Sequence, residues 1–181
     1  MNRYTTLLRA INVTNRRVKM DALRAAFANL GFPDAQTILA SGNVVFSSPQ
    51  SDPSKLQQTL ELGLETEFGF AIPTLLRSQS QIEALIGADP IGDSEPNKDT
   101  KFHVSFLDQT LPATIELPHI SSDPDFEVHE IDELHLFNIV RLGPSTGTVN
   151  LMDWLTSHFG NRVTTRTWNT LLKIQSKLAA L

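Results

Sequence analysis

The chain has 181 residues, of which 40% are hydrophobic and 19% charged, with a formal net charge of −5. These proportions describe an ordinary globular protein with enough length to bury a core, and no apolar run approaches the roughly 20 residues that span a bilayer. The chain has no cysteine, which excludes disulfides, thiolate nucleophiles and Cys-ligated zinc and suits a cytoplasmic location.

Met1-Asn2-Arg3-Tyr4 runs straight into a strand-like segment without a signal-peptide core, and Thr5 to Ile11 reads as a first, largely buried strand. Met20, Leu23, Phe27 and Leu30 share one stripe of a helix, which Gly31 and Pro33 end. Strands at Gln36–Leu39 and Asn43–Ser47 flank the turn Ser41-Gly42. Asp52-Pro53 is an N-cap and N1 pair opening a helix with Leu56, Leu60 and Leu64 on one face. Ala71–Arg77 makes a fourth strand. Ser78 and Gln81, spaced as a capping box, start a third helix that Gly87 ends.

This order is βαββαβ, so the fold class expected is α+β with a ferredoxin-like first half. Residues 88–100 hold two prolines and four acids without periodicity and read as an exposed acidic linker. Lys101–Leu107 alternates Phe102, Val104 and Phe106 with His103 and Ser105, which places His103 at a half-exposed strand position. A short helical piece is expected near Leu111–Leu117, followed by a hairpin, Phe126–Glu130 and Leu134–Val140. Two helices, Val149–Phe159 and Thr167–Ala180, then end the chain. The expected organisation is therefore 1–87, a linker at 88–100, and a degenerate, related α+β half at 101–181.

Charge is distributed unevenly. Eighteen of the 20 acids fall between Asp34 and Glu133 beside four basic residues, a formal −14, while the flanks carry 11 basic residues against two acids, a formal +9. If both ends meet, they form a cationic patch suited to an anionic ligand.

His103, His129 and His135 have no metal-ligand spacing, so no metal is expected, and no cofactor. Gly143 to Thr148 sits between a strand and a helix, but no lysine follows it as a Walker motif requires. Ser41 lies in no nucleophile elbow, and no catalytic residue is identifiable. The candidate binding residues are Arg9 and Asn12 after the first strand; Ser41, Gly42 and Asn43 in the hairpin; and Thr164, Thr165, Arg166 and Asn169 at the last helix. Arg9 inside an apolar strand, and Arg166 near a helix N-terminus, both call for an anionic partner. Trp168 shares a helix face with Leu171 and Leu172.

The segments L-L-R-A-I-N-V, M-D-A-L-R, S-G-N-V-V-F and T-T-R-T-W-N-T-L-L-K together resemble the bacterial domain of unknown function 1697 family over essentially the whole chain. The resemblance implies a two-part α+β protein with ferredoxin-like character and no established activity. The family's polar positions fall on Arg9, Asn12, Ser41, Gly42, Asn43, Thr164, Thr165, Arg166, Trp168 and Asn169. The chain departs from the family at Ala10, at Thr14-Asn15 and at Thr148-Val149, where glycines and a Ser-Lys pair are usual.

The function expected is binding of a small anionic or nucleotide-like molecule in a cleft between the halves. The alternatives are an enzyme using neither metal nor cysteine, and a protein-interaction module whose polar motifs are structural. With pI 5.5, a single tyrosine and no RNP-like string, nucleic acid is disfavoured, and no membrane partner is expected.

Overall fold

A computed structural model describes residues 1–12, 16–92, 97–108, 115–122, 125–142 and 148–181, with Thr148 and Val149 described by backbone alone. The chain divides into two compact units, Met1–Glu83 with Leu172–Leu181, and Ala84–Leu171.

In the first unit the elements run β1 (Asn2–Leu8), α1 (Met20–Asn29), β2 (Gln36–Ile38), β3 (Asn43–Ser48), α2 (Pro53–Phe68) and β4 (Thr74–Ser78), with α3 (Gln79–Gly87) following directly. The sheet order is β2-β3-β1-β4, with every pairing antiparallel. Alternation along the strands sends Tyr4, Leu8, Val44, Phe46 and Leu76 into one core with Leu23 and Phe27 of α1 and Leu56, Leu60 and Leu64 of α2. Each fully buried leucine contributes about 1.5–3 kcal/mol of transfer free energy, so the helix stripes seen in the sequence fix these layers.

Helix α2 starts where the Asp52 side chain accepts from the backbone N–H groups of Ser54 and Lys55, with Pro53 in the first turn, and it stops at Gly69 in a left-handed conformation. The capping box at α3 forms reciprocally: Gln81 N–H donates to Ser78 Oγ at 3.2 Å, and Ser78 N–H to Gln81 Oε1 at 2.9 Å. From Leu172 to Leu181 the chain belongs to this unit again. Arg3 Nη1 donates to the carbonyls of Leu178 and Ala179 at 3.1 and 3.3 Å, placing a cation where a helix dipole is negative.

The second unit holds β5 (Thr100–Leu107), β6 (His119–Ile120), β7 (Phe126–Asp132), β8 (His135–Arg141), α4 (Thr148–Phe159), β9 (Val163–Thr167) and the start of α5 (Trp168–Ala179). Its antiparallel sheet is ordered β6-β7-β8-β5-β9. Leu107, Val128, Leu136, Val140 and Val163 pack with Leu151 and Leu155 of α4.

Three expectations need correction. The first strand is β1, Asn2–Leu8 rather than Thr5–Ile11, so Arg9 lies just past the strand instead of within it. The chain does not end on two consecutive helices, because β9 stands between α4 and α5. Val163, Thr164, Thr165 and Thr167 are β-branched and suit a pleated, half-buried strand better than a helix cap. His103 is buried rather than half-exposed, because the sheet face carrying it lies beneath α4. The helical piece expected from Leu111 falls largely, and the loop from Gly143 almost wholly, outside the described residues. No helix among the described residues is long and apolar enough to cross a membrane.

Candidate ligand site

In the first unit the structure joins two of the polar clusters. Beyond β1 the backbone turns through two left-handed residues, Ala10 (φ 55°) and Asn12 (φ 57°). Asn12 uses both ends of its amide: Nδ2 donates to Ala40 O at 2.8 Å, and Oδ1 accepts from Val18 N–H at 2.9 Å. Leu8 N–H donates to Gly42 O at 2.7 Å. Gly42 has φ 76°, and a Cβ there would stand 2.6 Å from Ile11 Cδ1 and 3.0 Å from Leu8 Cβ, so a turn sequence with glycine is required. Asn43 is fully buried; its Nδ2 donates to Ile38 O at 2.8 Å and to Ser41 Oγ at 3.0 Å. Arg9 is half-buried, and burial lowers its pKa; its backbone N–H donates to Pro73 O at 2.9 Å.

The third cluster belongs to the second unit. Arg166 is buried in β9 opposite Val104, and its Nη1 donates to Thr164 Oγ1 at 2.8 Å and to Thr165 O at 2.9 Å. Burial pulls its pKa down to about 10, and it remains a cation at neutral pH. Thr165 faces the other way, 2.8 Å from Ser105 Oγ. Thr167 caps α5, accepting from Thr170 N–H at 3.3 Å.

The same unit contains a recess of about 440 Å³ where β5 begins and β9 passes into α5, lined by Lys98, Lys101, Phe102, Thr167, Trp168 and Asn169, with Asn97 at its edge. Phe102 packs on Phe137 with ring centroids 5.5 Å apart, and Trp168 meets Phe137 edge-on at 6.5 Å. The aromatic wall is thus fixed from behind. Lys101 Nζ donates to Asn97 O at 3.0 Å, while Lys98 is exposed and 4.0 Å from Asp99. The recess places two ammonium groups beside two aromatic rings, with hydroxyl and carboxamide groups at its rim. Walls of this kind have the shape and charge that a planar, negatively charged molecule would require.

Only Asn169 of the candidate binding residues lines this recess. Lys98, Lys101 and Phe102 were not singled out, although the two lysines stand three apart and are half of the four basic residues in the acidic middle. In a region so poor in cations, that spacing was the available signal. Among the described residues no group of three or more His, Asp or Glu is arranged to hold a metal ion.

Two antiparallel sheets and, among the described residues, five helices define a mixed α+β protein of two units. The fold is similar over 99% of both chains to that of a conserved bacterial protein from Streptococcus pneumoniae, with 25% sequence identity and a TM-score of 0.78. The chain belongs to the family described as protein of unknown function (DUF1697), whose model matches residues 1–135. No curated protein matches it.

Proposed function

We propose that the protein is a cytoplasmic binding module for a small anionic, planar ligand, held in the recess of the second unit. The observation that carries this reading is Lys98 and Lys101 lying beside Phe102 and Trp168 in one concavity. The rings stack the planar part, the ammonium groups take the negative charge, and Asn169 and Thr167 supply hydrogen bonds at the rim. The first unit we read as ferredoxin-like, supported by its βαββαβ element order and antiparallel β2-β3-β1-β4 sheet. The second, with strands in related order, we read as its degenerate relative.

The hydrogen bonds of Asn12 and Asn43 favour a different role for the first unit's clusters: Asn12 ties the loop after β1 to the β2–β3 hairpin, and Asn43 closes that hairpin on itself. Arg9 remains the member of those clusters with a side chain suited to an anion.

The test is a titration of Trp168 fluorescence in a Trp154→Phe background with phenyl phosphate, alongside a thermal-shift screen of nucleotides, sugar phosphates and coenzymes. A ligand present at a hundred times its dissociation constant adds about 2.7 kcal/mol of stability. Lys98→Ala with Lys101→Ala weakens binding at least ten-fold at low salt while leaving the melting temperature unchanged. If the double variant binds as the parent does, the recess is not the anion site.

A further inference from the structure

Charge in this protein divides by unit rather than by position along the chain. The first unit has ten basic against seven acidic residues, a formal +3, and the second five against thirteen, a formal −8. The surplus of the first unit is concentrated in one place. Between Met1 and Met20 the chain has five basic residues and no acid, and four of them, Arg9, Arg16, Arg17 and Lys19, fall between β1 and α1. Arg16, Arg17 and Lys19 are exposed, and among the described residues none of the three forms an ion pair.

Their placement does not serve stability. Lys19 is the N-cap of α1 and makes no side-chain cap bond, and it stands at the pole of the helix where a cation is unfavourable. Asp21, the acid of the first turn, is engaged by Arg24. The two arginines that bracket the loop are held against one connection, the segment between α2 and β4. Arg9 N–H donates to Pro73 O at 2.9 Å, and the Arg16 guanidinium lies over the Phe70 ring, 5.5 Å from its centroid. Phe70 and Pro73 are three residues apart in sequence, a reach of at most about 11 Å. Asn12 N–H donates to Arg16 O at 2.6 Å, which draws the two sides of the loop together.

We propose that this basic loop is a binding surface for single-stranded nucleic acid, separate from the recess of the second unit. Arg9, Arg17 and Lys19 take neighbouring phosphates, and the whole-chain pI of 5.5 is an average over two units of opposite sign. Arg16 is what favours nucleic acid over an acidic peptide. Seated over Phe70 and open to solvent, its guanidinium offers a flat, charged platform on which a base stacks. A carboxylate meets the edge of a guanidinium instead and has no use for its face.

The experiment is fluorescence anisotropy of labelled oligouridylate and oligothymidylate, each about twelve nucleotides long, titrated with the full chain; the two affinities compare RNA with DNA. Three phosphate contacts give a slope of about −2 for log affinity against log salt, a loss of about 20-fold between about 50 and 200 mM. Arg17→Ala with Lys19→Ala is expected to weaken binding at least ten-fold at the lower salt and to reduce the slope to about −0.7. Arg16→Lys keeps the charge but not the plane, so it weakens binding about five-fold or more with the slope unchanged. Lys98→Ala with Lys101→Ala leaves the affinity as it is. All of these side chains are exposed, and the melting temperature does not fall in any variant. Absence of binding at the lower salt overturns the inference, as does its loss in the Lys98/Lys101 variant. Arg16→Lys binding as the parent does, or oligoglutamate of equal length competing as well as unlabelled oligouridylate, also overturns it and leaves a surface for acidic chains in general. None of these failures touches the recess reading, which phenyl phosphate tests by itself.

Discussion

Replacing Gly42 with alanine tests how the S-G-N segment works. The residue has φ 76°, and holding a non-glycine residue in that region costs about 1–2 kcal/mol. The new Cβ would also lie 2.6 Å from Ile11 Cδ1 and 3.0 Å from Leu8 Cβ. The isoleucine tip can rotate away, but Leu8 Cβ is fixed to a strand that donates its own N–H to Gly42 O. Overpacking of this kind costs about 1–3 kcal/mol. The sum is a loss of about 2–5 kcal/mol, which at about 2–4 °C per kcal/mol for a chain of this size lowers the melting temperature by about 4–20 °C. Gly31→Ala is the control, since Gly31 has φ 93° with nothing within 4 Å of its would-be Cβ. It bears only the backbone cost of about 1–2 kcal/mol. Paired urea and thermal melts followed by circular dichroism measure both. Equal losses in the two variants would refute the close packing of the hairpin against Leu8 and Ile11.

Two further outcomes follow from the same structure. Asp52→Ala removes the cap that accepts from Ser54 and Lys55 and is expected to cost about 0.5–2 kcal/mol in urea denaturation, with Asp52→Asn recovering most of it. His103 has a folded pKa below its unfolded value, with burial the main cause. The unfolded chain therefore binds the proton first as pH falls. Stability from this group is fully present above the unfolded histidine pKa of about 6.5 and is lost as pH falls from there through the folded value. Urea midpoints measured from pH 7.5 to 5 should decline, and His103→Phe should flatten the decline. An unchanged slope in His103→Phe would mean that this imidazole takes up its proton alike in the folded and unfolded chain, and would refute the burial argument.

The helices and most strands were legible because their signals are local. The Leu56-Leu60-Leu64 stripe, Asp52-Pro53, and the Ser78/Gln81 box each act within one or two turns, and each occurs where the pattern put it. The end of β1 was less legible. Ala10 and Ile11 extend an apolar run in the sequence, yet Ala10 turns left-handed and Ile11 reaches the core from a loop. Burial alone does not distinguish a strand from a packed loop. Strand β9 was obscured because threonines serve equally as caps and as strand residues; only pairing with β5 decides between them. The recess was missed for a related reason. Lys98 and Lys101 are about 70 residues from Trp168 in sequence, and the β5–β9 pairing that unites Phe102 with Thr167 and its neighbours is set by tertiary structure.

Leu172–Leu181 belongs with Met1–Glu83, so the first unit is made from the two ends of the chain. On the ribosome, residues 84–171 are all available to fold while the first unit still lacks its closing helix segment, including buried Ile174 and Leu178. At a synthesis rate of roughly 5–20 residues per second, the N-terminal sheet waits several seconds for the carbonyls that Arg3 will cap. The contacts that join Met1–Glu83 to Leu172–Leu181 therefore span residues 84–171 and can form only after that whole stretch has been made.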